Sequence, residues 1–305
     1  MRSLVRYILT GRFQAITVVF GLAVLSYPFP FLLIFSGGAL ALITLQLGLK
    51  QGVSVLVICV LLIVASTFLV FGKISIGPLI TWFSIVILAL VYRNTRSLNL
   101  TLQALTMFGL VVTVLIAIMI PDMQMQWLNH LQNLFEAAAK NPSLQTMLEN
   151  AKFDTEKAQQ LMPIVAAVMT GGLVSLYLLI LAVMLFLGRW WQGLQDNILA
   201  FRAEFTALRL GKVLAGLAIL FLIGGLVLKY AILWQLAIVC LSMFSIQGIA
   251  IAHAMLGQLS SSMLGFVALY GLLLMAAPQM LMALSVLGLL DVWINFRVRF
   301  AKAKT

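Results

Sequence analysis

The sequence predicts an all-α fold, a polytopic transmembrane helical bundle of about 8–10 spans with an amphipathic surface excursion between the fifth and sixth. Three observations carry that prediction. Of 305 residues, 63% are hydrophobic and only 9% charged, and the mean hydropathy is +1.14, far outside the range of soluble domains. The apolar residues gather into long runs near the roughly 20 residues that a helix needs to cross a hydrocarbon core about 30 Å thick. One long segment, 122–161, is too polar for lipid and divides the chain. Barrel strands alternate apolar and polar residues over about 10 positions, whereas these runs are apolar on all sides, so a barrel is excluded. The expected organisation is a single transmembrane domain over 1–305, with five spans in 13–121, an extracytoplasmic segment at 122–161 and the remaining spans in 162–305.

The first run, 13–26, stops at Tyr27-Pro28-Phe29-Pro30, since proline bars helix continuation and restricts the residue before it. The second, 31–49, carries Ser36-Gly37-Gly38, small residues that admit a neighbouring helix. Lys50-Gln51-Gly52 reads as a short turn into the third run, 53–71, and Gly72-Lys73 as a turn into the fourth, 76–91. Short turns imply antiparallel neighbours. The fifth span, 100–120, ends at Pro121-Asp122.

Within the polar segment, Trp127, Leu128, Leu131, Leu134 and Phe135 form an apolar helical stripe, expected to lie on the membrane surface. Asn141-Pro142-Ser143 breaks it, and Ser143 suits the N-cap of a second amphipathic helix with Leu144, Met147, Leu148 and Ala151. The sixth span, 163–187, ends at Gly188-Arg189-Trp190-Trp191, read as an aromatic interfacial anchor. A second polar connection, 192–212, places Arg202 and Arg209 seven apart, the spacing of a shared helical face. Two spans follow, 213–228 and 231–256. The last apolar stretch, 263–294, is too long for one span and is interrupted by Pro278, as a kinked helix or a hairpin.

A net charge of +11 raises the question of nucleic acid, but the cations sit at the ends of apolar runs, where the positive-inside rule puts them, and no basic stripe on a soluble face appears. Counting alternate loops puts 14 of the 19 Lys and Arg residues on one side with the N-terminus. That asymmetry predicts a multi-pass protein with both termini cytoplasmic, and an even number of crossings favours a hairpin at Pro278. Membrane lipids are the expected partners, other membrane proteins are further candidates, and nucleic acid is not expected.

No P-loop, His-Glu-x-x-His or Gly-x-Ser-x-Gly pattern occurs, and no cofactor, metal site or catalytic residue is expected. The chain is not expected to be an enzyme. Cys59 and Cys240 lie inside apolar runs, as core residues rather than a disulfide pair or metal ligands, and His130 has no partner at ligand spacing. Few charges fall within the spans, which argues against an ion-coupled pump. Three residues are ligand-binding candidates. Gln247 and His253, in Ser245-Ile246-Gln247-Gly248-Ile249-Ala250-Ile251-Ala252-His253, must find partners in lipid, and Gln279 follows the Pro278 break, where freed backbone groups build sites in broken helices. Asp291 and Asn295 are four apart on one helical face, and a carboxylate at a membrane boundary seeks a cation; Arg202 or Arg209 is the expected partner, clamping the last span to the middle of the chain.

The ending Leu-Leu-Asp-Val-Trp-Ile-Asn-Phe-Arg, the Gln-Gly-Ile-Ala-Ile-Ala-His span, and Pro28-Phe29-Pro30 ahead of Gly37-Gly38 resemble the YybS-like family of bacterial inner-membrane proteins. That family is similar in fold to the membrane-embedded substrate-binding components of energy-coupling-factor vitamin transporters and to a rod-shape protein of the wall elongation machinery. The resemblance implies either solute binding or scaffolding, and the expected function is small-solute binding or transport as a transporter component, with non-enzymatic scaffolding of envelope assembly as the alternative. The segment 122–161 is longer than a simple six-helix substrate-binding component has.

Overall fold

The computed structural model describes residues 1–141, 150, 154–195, 197–258 and 262–302, and among these the regular structure is entirely helical. The helices are α1 (Arg2–Thr10), α2 (Arg12–Leu25), α3 (Leu32–Leu47), α4 (Leu49–Phe71), α5 (Ile76–Thr95), α6 (Leu98–Met119) and α7 (Met123–Ala139). After them come α8 (Thr155–Gly193), α9 (Ile198–Thr206), α10 (Gly211–Leu228), α11 (Ala231–Leu256), α12 (Ser262–Met275), α13 (Ala277–Ile294) and α14 (Phe296–Lys302). Seven of them, α4, α5, α6, α8, α10, α11 and α13, are long and apolar enough to cross a membrane, and α2, α3 and α12 are apolar but shorter. The chain is a multi-pass integral membrane protein. Leu61, Leu69, Ile118 and Met275 project from these helices largely exposed, a waste of apolar surface in water but the ordinary outer face of a bundle in lipid.

Helix ends follow local backbone chemistry. Gly72 (φ 64°) and Asn295 (φ 54°) take the left-handed conformation that closes α4 and α13, and these residue types adopt it at least cost. The turn between α3 and α4 is Gly48 (φ 93°) rather than residues 50–52, which already belong to the first turn of α4. At the N-terminus, Arg2 and Arg6 belong to a short amphipathic helix of their own, α1, whose Val5 and Ile8 are wholly buried.

Helix α8 is the spine. At 39 residues it is about 58 Å long at 1.5 Å per residue, nearly twice the hydrocarbon thickness. It packs most extensively against α3 and α11, so the helices around α3 and those around α11 meet on it. Every residue of α3 from 36 to 45 is buried. The small residues there do admit a neighbour: a Cβ on Gly38 would lie 2.7 Å from Leu187 of α8, and one on Gly188 would lie 2.9 Å from the Gly38 carbonyl. Ser36 donates to the Val19 carbonyl (2.7 Å) and accepts from Trp82 Nε1 (3.0 Å), joining α2, α3 and α5. Trp191, expected at the interface, is instead fully buried with its ring 6.4 Å from Phe35, because α8 runs on past it to Gly193.

The described start of the excursion, α7, lies between α6 and α8 and is amphipathic, and its apolar stripe has a partner. Trp127 Nε1 donates to Thr170 Oγ1 (3.0 Å), and Leu131, Leu134 and Phe135 face Ala158, Met162 and Val165 across a cavity of about 340 Å³. As numbers rise on α7 they fall on α8, so the two run antiparallel and the stripe is turned toward α8. Residues from Thr155 onward, behind the Asp154 side-chain cap, are thus the opening turns of α8. The helix expected from Ser143 through Ala151 lies, apart from residue 150, outside the described residues.

The last apolar stretch breaks at Ala276, with Pro278 in the first turn of α13. Gln247 of α11 and the C-terminal end of α13 both meet residues 208–210, so α11 and α13 run the same way and α12 returns between them. That is the hairpin rather than the single kinked helix. Gly248 and Gly288 bring α11 and α13 into backbone contact, since a Cβ on either would fall 2.0 or 2.1 Å from the carbonyl of Leu284 or Phe244.

Candidate functional site

The polar side chains that bond across helices gather at one end of the bundle, where α3, α5, α8, α11 and α13 finish and α4, α6 and α10 begin. This is the end that the basic residues mark in the sequence. Its centre is the strap 207–210 between α9 and α10, whose Leu208 and Leu210 are buried. A buried backbone without a ladder must bond to side chains, and this one does. The Leu208 carbonyl accepts from Arg297 Nη2 (2.7 Å), Arg209 N donates to Asn99 Oδ1 (2.9 Å), and the Leu210 carbonyl accepts from Gln103 Nε2 (2.9 Å). Leu210 N donates to Gln247 Oε1 (2.8 Å).

Gln247 is therefore a connector. Fully buried, it spends its amide nitrogen on the Gly288 carbonyl (3.0 Å) and Asp291 Oδ2 (3.3 Å). Asp291, 1% exposed, also accepts from Phe296 N (2.8 Å). Its cation is Arg297, with Nη2 3.7 Å from Oδ2, and not Arg202 or Arg209. The reason is the left-handed turn at Asn295, which folds the chain back so that a residue six positions on reaches the carboxylate. Arg209 bonds instead to the Asn295 side chain. Arg202 and Arg209 do not share a helical face, because α9 ends at Thr206 between them; Arg202 lies beside Gly257, beyond the end of α11. Burial pulls the Arg297 guanidinium below its usual pKa and the Arg209 charge adds to that, against the opposing pull of Asp291. Its Nε and Nη1 are buried without a hydrogen-bond partner among the described residues.

His253 sits among aromatic rings, Phe205, Phe266 and Tyr270, with Nε2 2.7 Å from the Tyr270 hydroxyl. Gln279 is exposed in the first turn of α13. The three ligand-binding candidates thus occupy three separate surroundings and share no cavity among those described.

The end of α8 holds a second polar group. Arg189 reaches Glu204 of α9 through Nη2 (2.6 Å) and Nε (3.3 Å), and Nε also donates to the Tyr92 hydroxyl (2.6 Å), which donates to Glu204 (2.7 Å). Beside it, Arg93 Nη1 donates to the last carbonyls of α3, Thr44 (3.1 Å) and Leu45 (3.2 Å), where the helix dipole favours a cation. Arg189, Tyr92 and Arg93, together with Arg96, Gln192 and Asn197, line a polar cleft of about 120 Å³. No family model, curated protein or solved structure matches the chain, so the chemistry of these two groups carries the functional reading.

The sequence reading singled out Gln247, Asp291 and Asn295, and the structure brings all three together. It missed Arg297, Glu204, Tyr92 and Arg189 as bonded groups. A signal for one was present: Glu204 is an acid in a basic connection, and the cation it meets ends a span fifteen residues earlier.

Proposed function

We propose that this protein is a non-enzymatic membrane scaffold rather than a solute conduit. The observation that carries the reading is the closure of Gln247. A transport component of the kind the sequence suggested would need Gln247, His253 and Gln279 to line one path, and Gln247 is saturated by Leu210, Gly288 and Asp291. An amide locked by three partners in a low-dielectric interior costs more to free than an open one, since each broken bond strands a buried group. Polar side chains elsewhere in the spans also tie helices together, as Gln235 does to the Ala167 carbonyl (2.7 Å). The resemblance to the YybS-like family and the bacterial inner-membrane location it implies belong to the same proposal, as do cytoplasmic termini, which rest on the side bias of the cations.

Purification of the full-length protein from native membranes in mild detergent tests the reading. A stoichiometric envelope-assembly protein that stays bound through two chromatographic steps supports a scaffold. Copurification with an ATPase and a coupling subunit would establish the transport alternative.

A further inference from the structure

The cleft at the ends of α5 and α8 is built from cations whose charge is not used up among the described residues. Of its three arginines, Arg189 is matched by Glu204 and Arg93 rests on the α3 carbonyls through Nη1 alone. Arg96 is exposed, held in the left-handed conformation (φ 51°) just past the end of α5, with no ion pair among the described residues. Asn197 uses its side-chain oxygen to cap α9, which leaves its amide donors free. The residues therefore present donors from α5, from α8 and from the start of α9 around one space of about 120 Å³. At about 30 Å³ per water, that space equals roughly four waters.

We propose that this cleft binds a phosphate-bearing anion. Guanidinium forks match phosphate and carboxylate oxygens in pairs. Donors converging from three elements suit a tetrahedral phosphate, whose oxygens lie out of one plane, better than a planar carboxylate. The cleft lies where the apolar helices end, at the depth of lipid headgroups, so a free phosphate and the phosphate of an anionic lipid present the same chemistry to it. Arg96 is the residue that distinguishes ligand from fold, because the structure gives it no other bond to lose. The binding role stands independently of scaffolding.

Calorimetric titration of the full-length protein in neutral detergent tests the site with two probes, inorganic phosphate and dioctanoyl phosphatidylglycerol. Saturable binding of phosphate alone identifies a soluble ligand, and binding of the lipid but not phosphate identifies a headgroup. In either case R96Q weakens binding about tenfold, the loss expected for one charge-assisted contact, with an unchanged unfolding midpoint. R299Q, which removes the same charge from an exposed position on α14, changes binding less than about twofold, since only a screened long-range field is lost. Absence of saturable binding by both probes, or equal weakening by R96Q and R299Q, overturns the proposal.

Discussion

Removing the charge of Asp291 tests the clamp that joins the last apolar helix to the middle of the chain. The carboxylate has no exposed surface and Arg297 only 12%, so the pair falls in the buried class, where deleting one partner costs about 3–5 kcal/mol, rather than the exposed class at about 0–1 kcal/mol. The 3.7 Å separation places it at the weak end. Asp291→Asn keeps an oxygen for Phe296 N but removes the charge and sets an amide NH2 where Oδ2 accepted from Gln247, for a loss of about 2 kcal/mol; Asp291→Ala also gives up the acceptor for Phe296 N, adding about 1 kcal/mol. Arg297→Met strands the carboxylate but also removes the two unpartnered guanidinium nitrogens, and about 2 kcal/mol is expected. Asp291→Asn with Arg297→Met should therefore be no worse than either single change, a coupling of about 2 kcal/mol. Unfolding by SDS in mixed micelles, followed by tryptophan fluorescence, measures the unmutated protein and the four variants. Additivity within about 0.5 kcal/mol would refute the pairing.

Two neighbouring glycines of α8 should behave oppositely. A Cβ on Gly171 would lie 2.6 Å from Gln235 Cα, whereas nothing lies within 4 Å of one on Gly172; Gly171→Ala should cost about 1–3 kcal/mol through overpacking and Gly172→Ala should be neutral or stabilise by up to about 1 kcal/mol, in the same unfolding assay. A reporter active only outside the cytoplasm, fused after Thr305, should be silent, and the same reporter inserted after Lys140 in the otherwise full chain should be active. Strong activity of the C-terminal fusion would reject an even number of crossings.

The helices were legible because apolar runs and glycine or proline punctuation are local properties: the Pro28-Pro30 break, the Gly72 turn and the Pro278 interruption all mark real helix ends. Helix α8 was not, since its first turns are polar and only its contact with α7 shows that they continue the span. The site was legible in part. Asp291 in an apolar run announces a need for a partner, but the choice of partner rests on the left-handed turn at Asn295, which spacing on a helical face cannot express. In the same way Trp191 reads as an anchor from its neighbours Gly188 and Arg189, while its burial depends on Phe35, 156 positions earlier in the chain.

Cys240 offers the most direct test of a closed polar centre. It is wholly buried on α11, seven residues before Gln247 and so two turns away on the same face. Any water path that passed Gln247 would bring solvent near it. Transport conformations interconvert in microseconds to seconds, so an impermeant maleimide left for hours on membranes carrying the Cys59→Ala protein would sample every open state. A packed scaffold predicts no labelling of Cys240 until SDS is added and complete labelling afterwards. Labelling of Cys240 in intact membranes would contradict the closed centre and restore the solute conduit.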